Sequence, residues 1–205
     1  MPDVYTTIAT ADAAVVAPLV ETLGAGLPNL TFMTGDAQAL PLPPGSVDVA
    51  VFHTVLCHVD DPELALAEAM RVLRPGGHVA IFDGDYTTVS VATSAADPLQ
   101  ACAEAAVGFL VHDRWLARRL PALLGAAGFE WIRVRGHNYL DAPSASGYLL
   151  ALIDRGTDAL LAGGRIGPEV AQALRAEAQR RSDAGEFFGH IAYVSAIAQK
   201  AGAGH

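Results

Sequence analysis

Cysteine is scarce: Cys57 and Cys102 are the only two in 205 residues. Two thiols cannot build the disulfide framework on which small secreted folds depend, so free thiols and a cytoplasmic protein are expected. Charge is scarce as well. Asp, Glu, Lys and Arg make up 17% of the chain, the net charge is -9, and no stretch concentrates Lys or Arg. A polyanion would meet a repulsive surface, which excludes nucleic acid as the expected partner. No apolar run approaches the roughly 20 residues of a membrane helix, because Asp48, His53, His58 and Asp60 interrupt the best candidate. The opening MPDVYTTIATADAA has no basic head followed by an apolar block, so no leader and no membrane partner are expected. Internal repeats, low-complexity tracts and linkers are also missing.

What is present is apolar residue, 52% of the chain, enough to fill one core. A single domain over residues 1–205 is expected, with helical cover segments at about 95–125 and 147–184. Strand and helix patterns alternate. Residues 5–10 (YTTIAT) read as a short strand, and Asp12 stands where a helix over 13–23 would begin, with Val16, Leu19, Val20 and Leu23 on one face. Further strands are expected at 30–33 and 47–55, the second apolar enough to be buried on both faces of a parallel sheet. Asp61 and Pro62 announce a helix that Arg71 and Arg74 would close before Pro75-Gly76-Gly77, and 78–82 enters the next strand. Beyond it the pattern predicts helices over 98–110, from Asp113 with a kink at Pro121, over 147–162 and over 168–184. Strands are expected at 129–135 and 189–198. This alternation implies a doubly wound α/β sheet.

The segment GDAQALPLPPGSVDVAVFHTVLCHVDDPELALAEAMRVLRPGGHVAIFD, followed by ARRLPALLGAAGF and a late strand, resembles the class I S-adenosylmethionine-dependent methyltransferases that act on quinones and other small molecules. The resemblance covers roughly Asp12 to Lys200. It implies a Rossmann-like, mostly parallel sheet with a reversed C-terminal hairpin, truncated at its N-terminal side. It also implies that Asp36 meets the adenine amino group, Ala37 offers a backbone N–H, Asp12 holds the ribose hydroxyls, and His53 with Thr54 lines the methionine end of S-adenosylmethionine. The family's central strand and GxGxG loop would precede Asp12, but none of the eleven residues before it is glycine. Two repairs of the sheet are therefore expected: the neighbouring strands close on each other, or a homodimer completes the sheet.

Asp36 also suits a plain turn, and Asp12 a plain helix cap. His53, Cys57 and His58 have metal-ligand chemistry but no second cluster to complete a site, so no metal is expected. Candidates for moving a proton are His58, Asp83, Asp85, Tyr86, His112, His137, Tyr139 and His190. Of these His112, Asp85 and Tyr86 are preferred, since 83–86 follow a strand's carboxyl end, where open α/β sheets bind ligands. Phe187, Phe188, Trp115, Trp131 and Tyr148 read as core or as an apolar substrate wall. Three functions remain open. They are methyl transfer to a small organic acceptor, a cofactor-independent cyclase or isomerase reaction in the same cleft, and a non-catalytic partner of a complete methyltransferase.

Overall fold

The structure is a computed structural model that describes residues 6–10, 30–141 and 147–202. Asp12 and the helix expected over 13–23 lie outside the described residues. Strands β1 (Thr6–Thr10) and β2 (Leu30–Thr34) pair in parallel as a two-stranded sheet. Strands β3 (Val47–His53), β4 (Leu73–Ser90), β5 (Phe129–Asp141) and β6 (Gly189–Lys200) form a second sheet in the order β3-β4-β6-β5. The β3–β4 pair is parallel, whereas β4–β6 and β5–β6 are antiparallel, which is the reversed C-terminal hairpin.

The first of the two expected repairs does not occur among the described residues, since β1 bonds only to β2 and β3 only to β4. The edge of β3 away from β4 has no strand partner there. Val49 and Val51 are accordingly 53% and 68% exposed, although the apolar run had suggested burial on both faces. Apolar composition alone cannot report a missing neighbour.

Helix α1 (Pro62–Val72) begins as its sequence demands: Asp61 accepts a hydrogen bond from the Leu64 N–H at 2.9 Å, and Pro62 occupies the first turn. It buries Ala65, Leu66, Ala69 and Val72. Its end differs from expectation. The helix stops at Val72 because Leu73 is extended and pairs with Val47. Arg74 turns away to an ion pair with Asp48, and Arg71 reaches back to Glu68 and to the carbonyls of Leu40 and Leu42. The cation at the helix end is instead Lys200 of β6, whose Nζ donates to the Met70 and Leu73 carbonyls at 2.7 and 2.6 Å.

Helix α2 (Leu99–Leu110), α3 (Leu116–Ala126, containing Pro121), α4 (Tyr148–Ala162) and α5 (Pro168–Asp183) follow. The third begins after Trp115 rather than at Asp113, with Asp113 accepting from the Trp115 N–H at 2.8 Å. It packs its buried Leu116, Leu120, Leu123 and Leu124 against the four-stranded sheet beside α1. Helices α2, α4 and α5 stack on one another. Asp141, at the end of β5, fixes α4 to this layer by accepting from the Gly147 and Leu149 N–H groups at 3.2 and 2.7 Å. Among the described residues no helix is long and apolar enough to cross a membrane.

Candidate functional site

The C-terminal ends of β2, β3 and β4 carry the residues singled out from the sequence. Asp36 follows β2 and is exposed; its Oδ1 accepts from the Gln38 N–H at 2.9 Å, an Asx turn closed by the Ala39 N–H on the Asp36 carbonyl at 3.0 Å. Only Oδ1 is engaged among the described residues, so Oδ2 is free to accept from a ligand. Ala37 lies half-buried beside it. The Gln38 side chain accepts from the Asp61 N–H at 2.8 Å, and Glu68 accepts from the Leu40 N–H at 2.9 Å, so α1 holds this loop in place.

His53 ends β3, exposed, and stacks on Phe82 of β4 with ring centroids 5.1 Å apart. Thr54 adopts φ 52°, a left-handed conformation that a β-branched residue rarely takes, and donates its N–H to the Phe82 carbonyl at 2.7 Å. The chain is thereby turned sharply off the strand end into a one-turn 3-10 helix, Leu56–His58. Tyr193 of β6 stacks on the same Phe82 at 4.9 Å and His137 of β5 leans on it at 5.7 Å. One aromatic row thus crosses all four strands.

Beyond Phe82, β4 becomes polar and buried. Asp83 is fully buried, accepting from the Cys57 N–H at 3.2 Å and the Gly84 N–H at 2.9 Å. Burial, then the charge of Asp83, pushes the Cys57 thiol well above its ordinary range. Burial also raises the Cys102 thiol. A thiol-specific chromogenic reagent at about pH 8, near the ordinary thiol pKa, is therefore expected to modify neither cysteine until the protein is unfolded. Rapid labelling of the native protein would contradict this.

Tyr86 is 6% exposed. Burial, with lesser contributions from Tyr148 and Cys57, raises its phenol far above its ordinary value, and Tyr193 is raised by burial and then by Tyr148. Both stay protonated at neutral pH, which makes them hydrogen-bond donors and not bases. Tyr148, at the start of α4, meets the Tyr139 ring edge-on at 5.9 Å.

The remaining candidates are dispersed. Asp85 is 8% exposed; its Oδ2 accepts from Arg118 Nε at 2.7 Å and its Oδ1 from the Thr87 hydroxyl, which ties β4 to α3. His112 lies at the surface with Nδ1 3.8 Å from Asp60. His58 sets Nδ1 3.0 Å from the Leu110 carbonyl and its ring edge-on to Tyr86. His190 is half-buried and pairs with Ser90 and Leu140. The HTVLCH side chains thus diverge, and among the described residues no group of three metal-ligating side chains gathers. Two contributors were missed from sequence. Tyr193 lay in a strand whose neighbour is fixed only by the sheet order, and Arg118 lay in a helix whose facing strand was unknown.

Residues 5–81 match the family model described as a methyltransferase domain. A demethylmenaquinone methyltransferase of Renibacterium salmoninarum is 38% identical over 96 residues, 47% of this chain and 34% of that protein. The chain spans less than half the length of the curated relatives that it matches first. Among solved structures, phosphoethanolamine N-methyltransferase 2 of Haemonchus contortus with S-adenosyl-L-methionine is similar at TM-score 0.53 and 17% identity, over 95% of this chain and 43% of that one. The cyclase SpnF is similar at TM-score 0.54 and 24% identity, over 98% of this chain and 68% of that one. Similarity at such identity shows the fold alone.

By fold this is a Rossmann-like α/β domain with the reversed last hairpin of the methyltransferases. The match over residues 5–81 and the identity to a demethylmenaquinone methyltransferase make this part of the chain similar to a methyltransferase domain.

Proposed function

We propose that the protein transfers a methyl group from S-adenosylmethionine to a small organic acceptor. The observation that carries this reading is the succession of polar groups at the carboxyl ends of parallel strands. Asp36 follows β2 with one carboxylate oxygen unengaged among the described residues, His53 and the left-handed Thr54 end β3, and the Asp83–Tyr86 segment follows the part of β4 that pairs with β3. These residues fit the cofactor's chemistry, because an exposed carboxylate oxygen suits an exocyclic amine or a hydroxyl pair. Asp36 and Ala37 would hold the adenine, Asp12 the ribose, and His53 with Thr54 the methionine end. The bound sulfonium supplies an electrophilic methyl group.

The protein's own part is alignment and exclusion of water. The protonated phenols of Tyr86 and Tyr193 orient an oxygen of the acceptor. Phe82 and His53 offer it an aromatic floor. His112, at the surface, is the base for an acceptor that must lose a proton, and Asp85 acts through Arg118 by holding the end of β4. Asp83 keeps the turn bearing Cys57 in place.

Calorimetry with S-adenosylhomocysteine tests the reading. Saturable binding is expected, and Asp36→Ala should weaken it by about 1.5–3 kcal/mol, roughly tenfold or more. Its melting temperature should stay unchanged, because Asp36 is exposed. Absence of both heat and thermal shift at saturating cofactor would refute the proposal. A turnover that survives removal of all cofactor would favour the cyclase reading.

A further inference from the structure

Helix α1 does more than pack on the sheet. Two of its side chains, Glu68 and Arg71, stand three residues apart on one side of the helix and close on the loop that follows β2. Arg71 grips Glu68 with two nitrogens, Nε on Oε1 at 2.7 Å and Nη2 on Oε2 at 2.8 Å. The same fork reaches the loop backbone, where Nη1 donates to the Leu42 carbonyl at 2.8 Å and Nη2 to the Leu40 carbonyl at 3.0 Å. Glu68 Oε2 accepts from the Leu40 N–H at 2.9 Å, and the Arg71 carbonyl accepts from the Gly45 N–H at 3.0 Å. A planar guanidinium serves these acceptors together, which an ammonium on a flexible stem does not. The hydrogen bond from Arg71 holds the Glu68 carboxyl below its ordinary range, so both members are charged at neutral pH.

The helix meets the loop a second time at its N-terminus. Gln38 Oε1 accepts from the Asp61 N–H at 2.8 Å, while the Gln38 N–H donates to Asp36 Oδ1 at 2.9 Å. The orientation of the Asp36 carboxylate is thereby linked to the start of α1. The turn is pinned within itself at Gln38 and just beyond itself at Leu40. A ligand that meets a loose loop must order it on binding, and that cost is subtracted from its affinity. Here the order is already in place.

We propose that Glu68 and Arg71 are positioning residues for S-adenosylmethionine: they preset the backbone of residues 36–40, so that a ligand held by Asp36 and Ala37 finds the turn already formed. The inference rests on the methyl-transfer reading and adds to it two residues that touch no ligand themselves.

The test compares Arg71→Ala, Arg71→Lys, Glu68→Ala, Glu68→Gln and the double variant Arg71→Ala, Asp36→Ala with the parent. Arg175→Ala is the control for a lost arginine, since Arg175 and Arg71 are 36% and 34% exposed and Arg175 instead ties α5 to Asp154 of α4. In native-state hydrogen exchange without ligand, the Leu40 amide should exchange about tenfold faster in Arg71→Ala, with the Leu66 and Ala69 amides of α1 unchanged. In calorimetry well below the melting midpoint, S-adenosylhomocysteine should bind Arg71→Ala about tenfold more weakly than the parent. Arg71→Lys should recover little of this loss. Glu68→Gln should lose less than Glu68→Ala, because its amide oxygen still accepts from the Leu40 N–H. Arg175→Ala should bind like the parent. The double variant should fall short of the product of the two single losses by about threefold or more, because Arg71 acts through the turn that carries Asp36. A merely structural role would let the two losses multiply. Fully multiplicative losses, parent-like affinity in both Arg71→Ala and Glu68→Ala, or an unchanged Leu40 exchange rate overturns the proposal and leaves the methyl-transfer reading standing. A parent protein that does not bind S-adenosylhomocysteine overturns both.

Discussion

Replacing Arg181 by alanine is expected to remove about 3–5 kcal/mol of folding stability, the cost of leaving one member of a buried ion pair without its partner. Arg181, in the last turn of α5, grips Asp97 just before α2 with two nitrogens at 2.5 and 3.3 Å, and the two side chains are only 13% and 1% exposed. Asp97 also accepts from the Thr93 and Leu99 N–H groups at 2.9 and 3.1 Å. Burial acts to raise the Asp97 carboxyl, but the Arg181 guanidinium and these amides outweigh it and hold the group well below the usual carboxylate range. A depressed folded pKa fixes the sign of the pH dependence. The stabilisation is present above the unfolded value of about 3.9 and is lost as pH falls toward the folded value. Chemical denaturation at neutral pH should therefore show the full loss in Arg181→Ala, and the difference from the parent should shrink steadily below about pH 4. A loss under about 1 kcal/mol at neutral pH would mean that the pair behaves as a surface ion pair.

Gly156→Ala is the second large expected effect, and it comes from space alone. A Cβ at this position of α4 would lie 1.7 Å from the Cys102 carbonyl oxygen and 3.1 Å from the Ala106 nitrogen, both backbone atoms of α2. No rotamer relieves a contact with backbone, so the two helices must separate. A destabilisation of about 3 kcal/mol is expected, read as a lowered thermal midpoint together with faster labelling of Cys102. Gly125→Ala is the control of opposite sign. It is also inside a helix, but nothing lies within 4 Å of the place its new methyl group would take, so removing glycine should stabilise α3 by about 0.5–1 kcal/mol. If both variants behave alike, the close approach of α2 and α4 is not what the glycine serves.

The legible parts of the chain were those whose causes are local. The start of α1 could be read from Asp61 and Pro62 because a cap and a first-turn proline act within one helical turn. Helices α2, α4 and α5 were legible from apolar spacing, and their observed limits fall within two residues of the expected ones. Strand lengths were less legible. A strand expected over 78–82 runs from Leu73 to Ser90, because its extension depends on pairing with Val47 on one side and His190 on the other. Likewise β5 extends to Asp141 because β6 continues alongside it.

The candidate site divides along the same line. Asp36, His53, Thr54, Asp83 and Tyr86 could be picked out as residues at strand ends. That Asp85 would be occupied by Arg118, or that Tyr193 would stack on Phe82, depended on which elements become neighbours.

The sequence by itself determined the alternating α/β class and the start of α1, since periodicity and caps act over a few residues. Only the tertiary structure decided that β1 and β3 remain apart, that Lys200 closes α1, and that one sheet face exposes Val51 beside a row ending in Arg133. Those features are pairings between segments far apart in the chain, and the energy of such a pairing belongs to neither segment alone.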